Sequence, residues 1–185
     1  MNQKQKLYVD CRVAGFGEDP LRIIAVVDTQ NDKVTISTTL PYMPPKDPFK
    51  GKTAKQIEEM KKILANTLVV VDNPIAFSKW DLNFEETEHL QEAIQAYTLL
   101  DSTQALKLGD QVKQQCDPKT VLQVRKMDVK GKDYELNSDD LTNGNMGVLL
   151  VCWAVIRMRR SAVMAEEGIE PTQQDIDNFD VPFVI

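Results

Sequence analysis

Residues Leu7 to Val13 alternate loosely between apolar and polar positions and are rich in strand formers; Gly15 and Gly17 suit the turn that follows. Leu21 to Val27 is a near-continuous apolar run, the pattern of a strand covered on both faces. After the polar turn Thr29 to Lys33, Val34, Ile36 and Thr38 alternate with Thr35, Ser37 and Thr39, which predicts a half-buried strand through Leu40. The short polar turn between the second and third runs predicts that all three pair as an antiparallel meander.

Pro41, Pro44, Pro45 and Pro48 make the next stretch an irregular connection, because each removes a backbone donor and fixes φ. Thr53 and Gln56 form a capping box for a helix to about Ala65, with Ile57, Met60 and Leu64 on one face. Leu68 to Val71 is a β-branched run ended by Asp72-Asn73-Pro74; the helix before it predicts a strand parallel to the first. Asn83 and Glu86 resemble a second capping box, followed by Leu90, Ala93, Ile94 and Tyr97 at helical spacing. Leu99 to Asp101 reads as a fifth short strand, and Lys107 to Gln115 as a helix. Val121 to Met127 and Asp133 to Leu136 flank Lys130-Gly131-Lys132, a hairpin pattern. Thr142 or Asn143 caps a long helix from about Met146 to Glu167, with Gly168 beyond its end. Val148 to Ile156 is apolar all round, so this part should be buried with Trp153 as its largest anchor. Thr172 to Phe179 reads as a last short helix. The order predicts one α/β domain over residues 1–168. Residues 169–185 form a tail whose apolar end, Val181, Phe183 and Ile185, is expected to dock on a protein partner or a second copy.

Composition narrows the picture. The 185 residues are 42% hydrophobic and 27% charged, ordinary for a globular protein. The net charge of −6 disfavours non-specific binding to nucleic-acid backbones. Three cysteines without a CxxC pair argue against disulfides and a structural zinc, and for a reducing compartment. The N-terminus is polar, and no apolar run approaches the roughly 20 residues of a membrane helix, so no signal peptide and no membrane span are expected. These features predict a cytoplasmic protein.

Asp10-Cys-Arg-Val-Ala-Gly15 is similar to the Asp-Thr-Glu-Thr-Thr-Gly motif of DEDD-type 3′–5′ exonucleases, a branch of the RNase H-like superfamily. Val69 to Ser78 resembles their second motif, with Asn73 and Phe77 matching if one insertion is allowed. Leu100-Asp101-Ser-Thr103 is similar to the family's Ile-Asp-Thr segment. In a looser comparison, Arg12 to Gly17 resembles a RuvC segment, and Asp72 follows the fourth strand as in RNase HI. The resemblance implies a mixed sheet, with the meander on one side and parallel strands on the other, flanked by helices and a long C-terminal helix. It also implies carboxylates that hold Mg²⁺ or Mn²⁺ to activate water. This chain departs from that set. Arg12 stands at the first glutamate, Ser78 at the second-motif aspartate, and Asn143 and Val148 where a His-x4-Asp helix motif is expected.

The leading expectation is therefore a non-catalytic RNase H-like protein without a cofactor. It acts through protein contacts, as a viral or phage factor in a host cytoplasm or as a subunit of an assembly. A second reading is a divergent nuclease that builds a Mg²⁺ or Mn²⁺ site from Asp10, Asp72, Asp101 and Asp140. A third is a structural subunit unrelated to nucleases. Ordinary roles stand beside these. Asp10 and Asp72 suit turns, and His89, the single histidine, reads as solvated on a helix surface. Arg157, Arg159 and Arg160 read as partners of Glu166 or Glu167.

Overall fold

The structure, a computed structural model, describes residues 6–16, 19–44, 46–129 and 131–166. Strands β1 (Lys6–Val13), β2 (Leu21–Asp28) and β3 (Lys33–Pro41) form the expected antiparallel meander. Helix α1 (Ala54–Ala65) leads to β4 (Thr67–Val71), which pairs parallel to β1. Two short strands complete a six-stranded sheet. β5 (Leu82–Asn83) lies outside β4 and β6 (Leu106–Leu108) outside β3, in the order β5-β4-β1-β2-β3-β6. The run β3-β2-β1-β4-β5, a meander continued by parallel strands, is the RNase H-like arrangement. The hairpin β7 (Leu122–Asp128) and β8 (Gly131–Leu136) forms as expected.

Strand periodicity gives the sheet two unlike faces. Val9, Cys11 and Val13 of β1 join Ile23, Ala25 and Val27 of β2 in a fully covered core. Across them lies α4 (Asn143–Glu166), which also packs along α2 (Glu86–Ser102). Met146 and Val148 to Val155 of α4 are buried, as their apolar run requires. The helix approaches so closely that a Cβ on Gly147 would sit 2.5 Å from Ile23 Cδ1. Thr142 accepts from the Asn145 backbone, as the capping pattern predicts. Trp153 is the anchor expected. It meets Phe84 edge-on at 5.2 Å, and its Nε1–H donates to Glu92 at 3.1 Å.

The structure corrects several local expectations. Leu99 to Asp101 is the last turn of α2 and not a strand; Ala93, Ala96, Tyr97 and Leu100 are buried at helical spacing and carry the helix through it. Lys107 to Gln115 divides into β6 and a short helix α3 (Asp110–Gln115), separated by Gly109. The Thr53–Gln56 capping box is present, but α1 buries no residue fully and leaves Leu64 53% exposed. Asn83 and Glu86 form no capping box. Glu85 is the cap of α2, and its backbone N–H donates to His89 Nδ1 at 3.0 Å. Thr172 to Phe179 and the apolar end Val181, Phe183 and Ile185 lie outside the described residues.

His89 is accordingly buried and not solvated, its ring tilted against Trp153 at 4.9 Å and Phe84 at 5.8 Å. Burial, and then the nearby Arg157 cation, hold its pKa below the ordinary value; Glu92 and other carboxylates oppose them. A lowered folded pKa contributes stability that is present above the unfolded value of about 6.5 and lost as pH falls through the folded value. The melting temperature should therefore fall as pH drops from 7 towards 5. His89→Gln should flatten that slope. An unchanged slope in the variant would show that this histidine does not set it.

Candidate site at the end of β1 and β4

Asp10 lies within β1 and not in a turn, and is 2% exposed. Strand alternation puts Asp10 and Arg12 on one face, and the antiparallel register sets Arg22 of β2 opposite Arg12. Arg22 grips the carboxylate as a fork, Nε to Oδ1 and Nη2 to Oδ2, both at 2.9 Å. Arg12 adds a third bond, Nη2 to Oδ2 at 3.1 Å. Bidentate guanidinium–carboxylate pairing is among the strongest hydrogen-bonded arrangements available to side chains. The bond to Asp10 pushes the Arg22 pKa upward despite partial burial. Arg12 also lies 5.7 Å from the Tyr42 ring, which stands edge-on to Phe77 at 4.8 Å.

Asp72 follows β4, and its carboxylate is turned onto the β1–β2 loop. It accepts from the Ala14 backbone at 3.0 and 3.2 Å and from Gly15 at 2.8 Å. Only a glycine permits this, since a Cβ at Gly15 would lie 2.8 Å from Asp72 Oδ2. Burial raises the Asp72 pKa, and the bonds from Ala14 and Gly15 oppose it. Asn143, fully buried at the start of α4, reaches the same loop; it accepts from Phe16 N at 3.0 Å and donates to Asp19 O at 3.2 Å. Asp72 and Asn143 thus hold a loop in place at the end of the sheet where the resemblance puts metal ligands.

The other sequence candidates lie apart. Asp101 ends α2 and pairs with Lys119 at 3.0 Å. Asp140 accepts from Asn137 Nδ2 at 2.6 Å in the turn before α4. Ser78 is exposed in the loop after β4, and Val148 is sealed inside α4. Among the described residues, no three His, Cys, Asp or Glu side chains converge as metal ligands. The residues present do not fit the Mg²⁺ or Mn²⁺ pair of the family. Both Asp10 oxygens already accept from guanidinium groups, and the two cations around one carboxylate leave local positive charge that repels a divalent ion.

No family model matches the chain, and no curated protein matches it. Two solved structures are similar to it. One is the large terminase nuclease from thermophilic phage G20c, at 12% identity and a TM-score of 0.48, covering 80% of this chain and 82% of that one. The other is the same nuclease with bound cobalt, at 14% identity and a TM-score of 0.42, covering 80% and 81%.

Nothing in its local sequence marks Arg22. The β1–β2 register places it beside Arg12, and counting back from the turn would have found it. The side chains of Glu166 and Glu167, the partners expected for the arginines of α4, lie outside the described residues, but two of the arginines meet carboxylates within them. Arg157 pairs with Glu92 at 3.1 Å and lies over the Trp153 ring at 4.6 Å, while Arg159 pairs with Asp32 at 3.0 Å.

Proposed function

We propose that this chain is a non-catalytic RNase H-like protein that works through protein–protein contacts, as a viral or phage factor or as a subunit of a larger assembly. The observation that carries the reading is the Arg12–Asp10–Arg22 cluster. In a metal-dependent nuclease the first-strand carboxylate needs free lone pairs and a carboxylate neighbour. Here both its oxygens accept from guanidinium groups, three bonds in all, and the next residue on its face of the strand, Arg12, is one of those cations. The use of Asp72 and Asn143 as loop clasps supports the same reading. Three buried free thiols suit a reducing cytoplasm. Among the described residues, no helix is long and apolar enough to cross a membrane.

The test is direct. Purified chain is incubated with labelled single- and double-stranded DNA and with RNA, in Mg²⁺ and in Mn²⁺. No degradation above a buffer control is expected. Metal-dependent cleavage that disappears in Asp10→Ala would replace this reading with the divergent nuclease.

A further inference from the structure

Six carboxylates, Glu166, Glu167, Glu170, Asp175, Asp177 and Asp180, follow the last cation of the chain, Arg160. The chain holds 28 Asp and Glu against 22 Lys and Arg, so removing those six leaves the remainder balanced. Since Glu166 closes α4, five of the six net negative charges belong to the segment after that helix.

On the folded surface, a groove of about 270 Å³ runs between α2 and the second half of α4. Ala96, Leu99, Trp153 and Ile156 line it, with Arg157 and Arg160 at its rim. Leu99 is 51% exposed there. Glu92, the one carboxylate in the lining, is committed to Trp153 and Arg157. Arg160 is exposed, and no carboxylate reaches it among the described residues. The volume falls below the roughly 300–1,000 Å³ of small-molecule sites, and suits a few anchoring side chains instead.

We propose that this groove is the docking site of the chain's own C-terminal segment. Phe183 is the anchor on the apolar floor, with Val181 and Ile185 beside it and the preceding carboxylates turned towards Arg160. Charge and polarity match at both ends, acid to arginine and apolar to apolar. Reach matches too. At about 1.5 Å per helical residue, Arg160 lies about 9 Å back from the end of α4. Residues 167–180 are long enough to cover that distance: even as the short helix the sequence predicts, the eight residues Thr172 to Phe179 alone extend about 12 Å. Tethering at that length gives an effective concentration in the millimolar range, which favours the chain's own tail over that of a second copy. The inference stands whatever the Asp10 cluster does.

Amide exchange followed by NMR on the full chain, at a concentration where sedimentation shows a monomer, tests it. The amides of Phe183, Val184 and Ile185 should exchange at least about tenfold more slowly than in an unstructured peptide. Leu99→Asp and Arg160→Glu should each remove that protection, while the amides of Val148 to Val155 stay protected. Phe183→Asp should release Ile185 without touching the folded domain at all, which covers the case of a groove variant that fails to fold. Exchange at peptide rates in the unaltered chain would overturn the proposal, as would protection that survives all the substitutions. Protection that grows with chain concentration alongside a dimer would also overturn it, because the occupant would then be a second copy.

Discussion

Asp10→Ala is expected to lower the melting temperature by on the order of 10 °C, with no loss of any metal response. The substitution removes the one anion shared by two guanidinium groups, whose side chains are 16% exposed at Arg12 and 39% at Arg22. Breaking a buried ion pair from one side costs about 3–5 kcal/mol, because the remaining charge is stranded. The exposure of Arg22 reduces this to about 2–4 kcal/mol, since water can rescue part of the stranded charge. For a chain of this size, each kcal/mol moves the midpoint by roughly 2–4 °C. The sign matters more than the size. In a site built from converging carboxylates, deleting one relieves like-charge repulsion, so the apo protein should gain stability. Thermal unfolding of Asp10→Ala, with and without Mg²⁺, therefore separates a structural ion cluster from a metal centre. A rise in the midpoint would reject the assignment made here.

Trp153→Ala should be at least as damaging, about 3–5 kcal/mol, in the range measured for large-to-small aromatic truncations in cores. The indole is 1% exposed. It joins four partners: Phe84 edge-on, the His89 ring, the Arg157 guanidinium above it and the Glu92 carboxylate at its N–H. Trp153→Phe keeps most of the packing and loses the N–H donor, so a smaller cost of about 1–2 kcal/mol is expected. Urea unfolding of both variants measures the difference. Equal losses would mean that the bond to Glu92 contributes nothing beyond packing.

What could be read from the sequence was what local chemistry determines. The meander was legible because Val34, Ile36 and Thr38 keep a period of two and the turn before them is short. The α1 start was legible because Thr53 and Gln56 satisfy each other within one turn. Leu99 to Asp101 was not, because three residues carry no period. What decides their state is that Tyr97 and Leu100 continue the buried face of α2. The burial of His89 was not legible for a related reason. Its burial comes from Trp153 on a distant helix, and its bond to the Glu85 backbone replaces the side-chain cap that Asn83 seemed to offer. The pairing of Arg157 with Glu92 and of Arg159 with Asp32 was not legible either, because it depends on where α4 docks. The candidate site was half legible. The departures at Arg12, Ser78 and Val148 stand in the sequence, whereas the role of Arg22 depends on strand register. Asp101 and Asp140 were indistinguishable from ligands until their own partners, Lys119 and Asn137, were seen.

The edges of the main sheet bear on how a partner can be recognised. β5 contributes two residues and β6 three, so neither border offers more than a stub of unpaired backbone. Recruitment by adding a strand to the main sheet, which reads main-chain groups and tolerates many sequences, has little template among the described residues. On the function proposed above, a partner docking on this sheet would be recognised through side chains displayed on the helices and loops around it. Such an interface is selective by residue identity. Single surface substitutions should therefore trace its footprint sharply, and a partner that accepts one version of this surface should discriminate against close variants of it.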